Sequence, residues 1–146
     1  RSCEIKKKVV EADEKEIGIR KILNFGHTFE HAYEATLNYS KKLNHGEAVI
    51  LGIKTAIKFS LMNNILNIRE FKMIEDHIND LKLPNNIGKF FSKNKLNKIL
   101  SFMKKDKKNN TKKINLVLLK KIGLPIYNSQ FDKKKISYFL KKELIK

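Results

Sequence analysis

Apolar residues recur at helical intervals along most of this chain and at strand intervals only near its end. In residues 4–12, Ile5, Val9 and Ala12 mark one face and lysines the other, which predicts the last turns of a helix. Residues 13–18 form a charged connection ending in a turn glycine, Gly18. A second helix is expected to start at residues 20–24 and run to about Leu37, burying Leu23, Phe25, Phe29, Ala32, Tyr33 and Ala35. Residues 38–44 read as a loop. From Gly46 to Met62 the apolar positions crowd so closely that only a narrow wet face remains, so this is the expected central helix. Gly52 lowers helix propensity within it, which predicts close packing against a neighbouring helix or ligand. Asn63 and Asn64 end that run.

Residues 68–81 predict an amphipathic helix that stops before Pro84, which cannot extend a helical hydrogen-bond ladder. Ser92 is the expected cap of a helix over 93–103. Residues 106–113 read as a polar loop, 114–119 and 125–127 as short strands, and Asp132 as the cap of a last helix burying Ile136, Phe139, Leu140 and Leu144. A two-stranded ribbon is marginal alone, so it must lean on helices. The expected class is mainly α with a small two-stranded β ribbon, as one domain over 1–146.

Composition adds charge to this picture. The formal net charge is +17, and only Arg1, Arg20 and Arg69 among the 32 basic residues are arginines. A nucleic-acid reader favours arginine for bidentate contacts, whereas these lysines spread over every segment as solvated faces do. A basic helical nucleic-acid module stays open as an alternative, but no specific nucleic acid is expected. The field would draw small polyanions into any cleft. One cysteine, Cys3, excludes an internal disulfide framework and a multi-cysteine zinc site. No apolar run reaches membrane-spanning length and no signal-peptide pattern occurs, so no membrane partner and a cytoplasmic location are expected. The chain opens Arg1-Ser2-Cys3-Glu4 without methionine, its first helix already under way, which suggests the C-terminal part of a longer protein.

Chemistry concentrates in residues 20–48, which hold His27, His31 and His45, three of the four histidines. His27 and His31 share a helix face at four-residue spacing, and His45 follows a polar turn that could fold back toward them. Zinc sites commonly use three protein ligands, so all three could bind one ion. The glutamate of His27-Thr28-Phe29-Glu30-His31 is misplaced for the HExxH signature, and chance spacing of two histidines is the bland alternative. Glu30 and Glu47 are candidate carboxylate ligands, each more simply an ordinary polar residue or a partner standing behind the ligands. Arg20 and Asn24 fall on the same expected helical side as His27 and His31, a line of donors suited to phosphate or carboxylate. Asp106-Lys107-Lys108-Asn109 offers further cations, although alone it reads as a solvated charge run. Lys6 reads the same way, and His77 as structural.

Taken together, several blocks resemble the 3-dehydroquinate synthase family: Cys3-Glu4-Ile5-Lys6, Val9-Val10, Asp13-Glu14, residues 18–29 with Leu23-Asn24-Phe25-Gly26-His27-Thr28-Phe29, His31-Ala32, and His45-Gly46-Glu47-Ala48-Val49. Asp106-Lys107-Lys108-Asn109 and residues 114–123 match in the same order, so the resemblance spans essentially the whole chain. It implies the family's helical C-terminal domain, in an NAD- and metal-dependent enzyme using Zn2+ or Co2+. That enzyme converts 3-deoxy-D-arabino-heptulosonate 7-phosphate to 3-dehydroquinate and phosphate, in the shikimate pathway, usually as a homodimer. The resemblance makes His27 and His45 metal ligands, with a third ligand, a glutamate, upstream of this chain. It makes His31 a phosphate contact and proton-transfer residue paired with Glu16, and Asn24 a second phosphate contact. Lys6 and Arg20 would grip the substrate carboxylate, and Lys107 or Lys108 would close the site.

A related sugar-phosphate cyclase such as 2-deoxy-scyllo-inosose synthase is the alternative within this chemistry, disfavoured by the joint presence of Lys6 and Arg20. The family has a small residue where this chain has Glu30, whose side chain is expected to point off the helix into solvent. No GxGxxG pattern occurs, so the resemblance places NAD binding in an N-terminal domain outside this chain, as a required partner. The isolated segment is expected to be inactive.

Overall fold

The computed structural model describes residues 1–103 and 113–145. The chain folds as α1 (Ser2–Ala12), a 3-10 turn (Ile19–Asn24), α2 (His27–Thr36), α3 (His45–Met62), α4 (Ile68–Asp80), α5 (Leu96–Met103), β1 (Lys113–Lys121), β2 (Leu124–Asp132) and α6 (Lys133–Glu143). Single 3-10 turns precede α5 at Ile87–Lys89 and Lys93–Lys95. The mainly helical class with one two-stranded antiparallel ribbon is as the pattern predicts. Among the described residues, no helix is long and apolar enough to cross a membrane.

The core is built around α3, whose Ala48, Leu51, Ala56 and Phe59 meet Phe29, Ala32 and Tyr33 of α2. Phe59 is its aromatic hub, with Phe131 at 4.9 Å and Phe139 at 5.1 Å, both edge-on. The ribbon does lean on the helices: Ile114, Leu116 and Leu118 alternate inward while Lys113 and Asn115 stay wet. Its register pairs Ile114 with Phe131 and Leu118 with Ile126. The Ser60 hydroxyl donates to the Ala56 carbonyl and accepts the Leu119 N–H at 3.1 Å, tying β1 to the middle of the domain.

Several boundaries differ from the sequence pattern, each for a physical reason. The expected continuous helix over 20–37 is broken at Phe25-Gly26, where Gly26 adopts φ +84°. A Cβ on Gly26 would lie 2.6 Å from the Ile53 nitrogen, and one on Gly52 would lie 2.6 Å from the Gly26 carbonyl oxygen. The two glycines therefore let α2 start in backbone contact with α3, and the close packing expected of Gly52 is this contact. Arg20 and Asn24 consequently belong to a separate turn, not to the helix face of His27 and His31. Asp13 organises that turn by accepting the N–H groups of Ile17, Gly18 and Arg20 at 2.7–3.0 Å. Desolvation acts to raise its carboxyl, but these donors, that of Arg20 foremost, hold it below its ordinary value. The left-handed residue there is Glu16 (φ 54°), not Gly18.

Neither Ser92 nor Asp132 makes a side-chain cap bond; the Ser92 hydroxyl donates to Asn94 instead. The strands extend to Lys113–Lys121 and Leu124–Asp132, because paired backbone carries charged ends that hydrophobicity does not mark. Helix α1 buries no side chain, and its Ile5 is exposed. The predicted contacts Lys107 and Lys108, with the rest of the 106–112 segment, lie outside the described residues.

Candidate functional site

The Gly26–Gly52 contact fixes where α2 begins, and its first turns carry His27, Glu30, His31 and Glu34. Glu30 starts from a locked base: its N–H donates to the Gly26 carbonyl at 3.0 Å, and its Cβ faces the space left by Gly52. The side chain is 0% exposed, no N–H among the described residues is aligned on either carboxylate oxygen, and its polar neighbours are Glu34, His31 and His45. The expectation that Glu30 points into solvent is corrected by this placement. Position 30 lies one turn from Gly26 and three residues from buried Tyr33, on the inward stripe of α2.

Two histidines approach that carboxylate, and a third packs against one of them. His31 Nδ1 lies 3.0 Å from Glu30 Oε2, and His45 Nδ1 lies 3.5 Å from Glu30 Oε1 and 3.0 Å from Glu34 Oε1. His27 packs its ring edge-on against His31, with centroids 5.6 Å apart, and its Nδ1 sits 3.5 Å from the Phe25 carbonyl oxygen. The imidazoles of His31 and His45 are 67% and 71% exposed, so both face outward from a buried acidic floor. Beside His31 an open depression of about 410 Å³ is lined by Ala35, Asn38, Tyr39 and Phe102.

The electrostatics follow from crowding two carboxyls under these rings. Burial, then the neighbouring Glu34, pushes the Glu30 carboxyl up to about 7. Burial also acts to raise Glu34, but its contacts with Glu30 and His45 outweigh that and hold it below the ordinary value. The two carboxyls titrate together, with Glu30 raised and Glu34 lowered. His31 is pushed below the usual imidazole value by desolvation and then by His27.

Among the described residues, Glu30, Glu34 and His45 form the group of three whose ligand atoms lie within 4.8 Å of one another. Imidazole nitrogen beside carboxylate oxygen is a donor chemistry that suits zinc or cobalt, with the exposed His45 ring the member open to an incoming ion. The donor chemistry thus fits a divalent metal, although His27 stands outside that group of three. Sequence reasoning missed Glu34, whose signal was its spacing: four residues after Glu30 and three after His31 on one helix.

The other predicted residues occupy the flank. Asn24 donates its side-chain amide to Glu16 Oε1, and the Arg20 guanidinium donates to the Glu14 carbonyl at 2.7 Å. Glu16 is thus joined to Asn24, while the carboxylate beside His31 is Glu30. Lys6 lies on exposed α1, which packs against the 3-10 turn. Glu47 accepts the Asn44 N–H at 2.9 Å and so closes the N-terminus of α3, a structural role. His77 is exposed in the last turn of α4.

Comparison with known proteins adds the family. Residues 1–109 match the model of the 3-dehydroquinate synthase C-terminal family. The chain is 72% identical over 145 residues to the 3-dehydroquinate synthase of Pelagibacter ubique, covering 99% of this chain and 39% of that protein. It is 44% identical over 123 residues to the enzyme of that name from Endomicrobium trichonymphae, covering 84% and 32%. The fold resembles a crystal structure of 2-deoxy-scyllo-inosose synthase complexed with carbaglucose-6-phosphate, NAD+ and Co2+. That likeness has a TM-score of 0.75 at 23% identity, over 97% of this chain and 39% of the other. The chain thus spans about two fifths of the length of these proteins or less.

Proposed function

This chain belongs to the 3-dehydroquinate synthase C-terminal family, and from that premise we propose that it forms the helical, metal- and substrate-binding part of a 3-dehydroquinate synthase. The reaction is conversion of 3-deoxy-D-arabino-heptulosonate 7-phosphate to 3-dehydroquinate with release of inorganic phosphate. The observation that carries this reading is the convergence of His27, His31, His45, Glu30 and Glu34 where α2 meets α3.

In this reading His27 and His45 hold a divalent metal, Zn2+ or Co2+, together with a carboxylate from outside the 146 residues. When bound, that ion polarises the substrate carbon–oxygen bond undergoing oxidation. His31, outward beside the metal ligands, contacts the substrate phosphate and exchanges a proton there, with Asn24 as a second phosphate donor and Glu16 holding the Asn24 amide. Lys6 and Arg20 grip the substrate carboxylate, and Lys107 or Lys108 closes over it. The +17 charge favours capture of such a polyanion. NAD supplies the hydride chemistry from a separate nucleotide-binding domain, and the assembly is a cytoplasmic homodimer in this proposal.

A chimaera in which this chain replaces the matching segment of the P. ubique relative tests the reading. It is expected to release phosphate from the heptulosonate phosphate when NAD and a divalent metal are supplied. No release, with the parent active in the same assay, overturns it. Preferential turnover of a sugar phosphate lacking the carboxylate would instead place the chain among the related cyclases.

A further inference from the structure

We propose that Glu30 is a positioning residue that sets the orientation and tautomer of two imidazoles. One carboxylate oxygen accepts a hydrogen bond from His31 Nδ1–H, and the other, with Glu34, accepts one from His45 Nδ1–H. Each ring is then left with the Nε2 lone pair free for a ligand. The inference rests on the roles given above to His31 as phosphate contact and His45 as metal ligand.

The first ground is the condition of Glu30 itself. Its side chain is fully buried with no N–H aligned on either oxygen and another carboxyl, Glu34, against it, a state costly for a carboxylate unless donors complete it. The available donors stand at the right distance, with His31 Nδ1 at 3.0 Å and His45 Nδ1 at 3.5 Å, on different oxygens. The second ground is which partner can move. Glu30 rises from backbone pinned at the Gly26–Gly52 contact, whereas both rings are mostly exposed. Rotation about the broad imidazole χ2 brings their N–H groups into line without disturbing the core. The rigid carboxylate therefore orients the rings, as carboxylates behind metal-binding histidines do in general.

The two histidines are not held equally. His45 has two acceptors, Glu34 at 3.0 Å as well as Glu30, while His31 is held at Glu30. This asymmetry gives the test its form. Histidine-15N-labelled protein, as the 146-residue chain and as the chimaera, is examined without metal at about pH 8.5, where free imidazole is neutral. Two-bond proton–nitrogen correlations identify the tautomers. Both His31 and His45 are expected as Nδ1–H. Glu34→Gln is expected to leave His45 as Nδ1–H through Glu30, and Glu30→Met to switch His31 to Nε2–H while Glu34 keeps His45 unchanged.

An Nε2–H tautomer of His31 in the unaltered protein overturns the proposal, as does a His45 switch in Glu34→Gln. An unchanged His31 in a folded Glu30→Met variant does the same. If that variant does not fold, the unaltered protein and Glu34→Gln still decide. None of these readings needs turnover, so a chimaera that releases no phosphate defeats the functional reading and leaves this one standing.

Discussion

Helix α3 passes two buried charged regions, and they are resolved in opposite ways. Toward its C-terminal half, Lys54 lies 3.4 Å from Glu75 and Lys58 lies 2.6 Å from Glu143, so each cation is matched by a carboxylate. Desolvation lowers the Lys54 ammonium value, and Glu75 works against that shift. Against the N-terminal half of α3, two acidic groups are gathered instead: Glu30 and Glu34 sit together beneath outward imidazoles, with no lysine or arginine among the described residues paired to either. The first region is complete as folded. The second sets two carboxyls side by side under rings that face outward, with burial and Glu34 together raising the Glu30 value. That contrast separates a structural network from a binding site where burial alone does not.

Four measurements can break or sharpen the contrast. The largest effect is expected from Gly52→Ala, whose Cβ would sit 2.6 Å from the Gly26 carbonyl oxygen and 2.8 Å from Glu30 Cβ. Forcing α2 off α3 should cost about 3 kcal/mol in urea unfolding; a loss below about 1 kcal/mol would mean the glycine contact does not hold the site's frame. Next, Lys58→Met removes a largely buried ion pair and should cost about 2 kcal/mol. Glu30→Met, in the same metal-free assay near pH 8, should stabilise the fold by about 1–2 kcal/mol, because it removes a buried carboxylate whose desolvation the imidazole N–H groups offset only in part. If both substitutions destabilise alike, the two regions are not different in kind.

The smallest effect is the pH dependence. With the Glu30 carboxyl raised from 4.5 to about 7 in the folded chain, the native state binds more protons than the unfolded one across that interval. Its contribution is therefore present at acid pH and lost as pH rises through about 7; an isolated carboxyl would lose about 3 kcal/mol, and the lowered value of its coupled neighbour Glu34 offsets part of that, leaving an expected loss of about 1–2 kcal/mol. Comparing urea unfolding at the two ends of that range checks the sign. Glu30→Met should remove this dependence, and an equally steep dependence in the variant would assign it elsewhere.

The sequence exposes most of this fold through its periodicity. The crowded apolar run of α3 and the stripe of α6 bury most of what the pattern says they should, whereas α4 buries only Phe71 and Ile78 and leaves His77 and Leu81 exposed. The break before α2 was harder to read. Ile22, Leu23, Phe25 and Phe29 continue an apolar rhythm across it, and the interrupting signal is the single Gly26. Losing that break put Arg20 and Asn24 on a helix face they do not occupy. The histidines were visible as a local concentration of a scarce residue. The burial of Glu30 was not, because it depends on a missing side chain twenty-two residues away, at Gly52. Tertiary space, rather than local pattern, turns a glutamate on an amphipathic helix into the floor of a site.

The most direct test of the site is a crystal structure of the cobalt-loaded chimaera. The expected result is one ion with His27 and His45 nitrogens about 2.0–2.1 Å away. His45 should bind through Nε2, with its Nδ1 hydrogen-bonded to Glu34 and Glu30, and His31 should lie outside the coordination sphere with its Nδ1 on Glu30. An ion held directly by Glu30, Glu34 and His45, or by His31 in place of His27, would contradict the account.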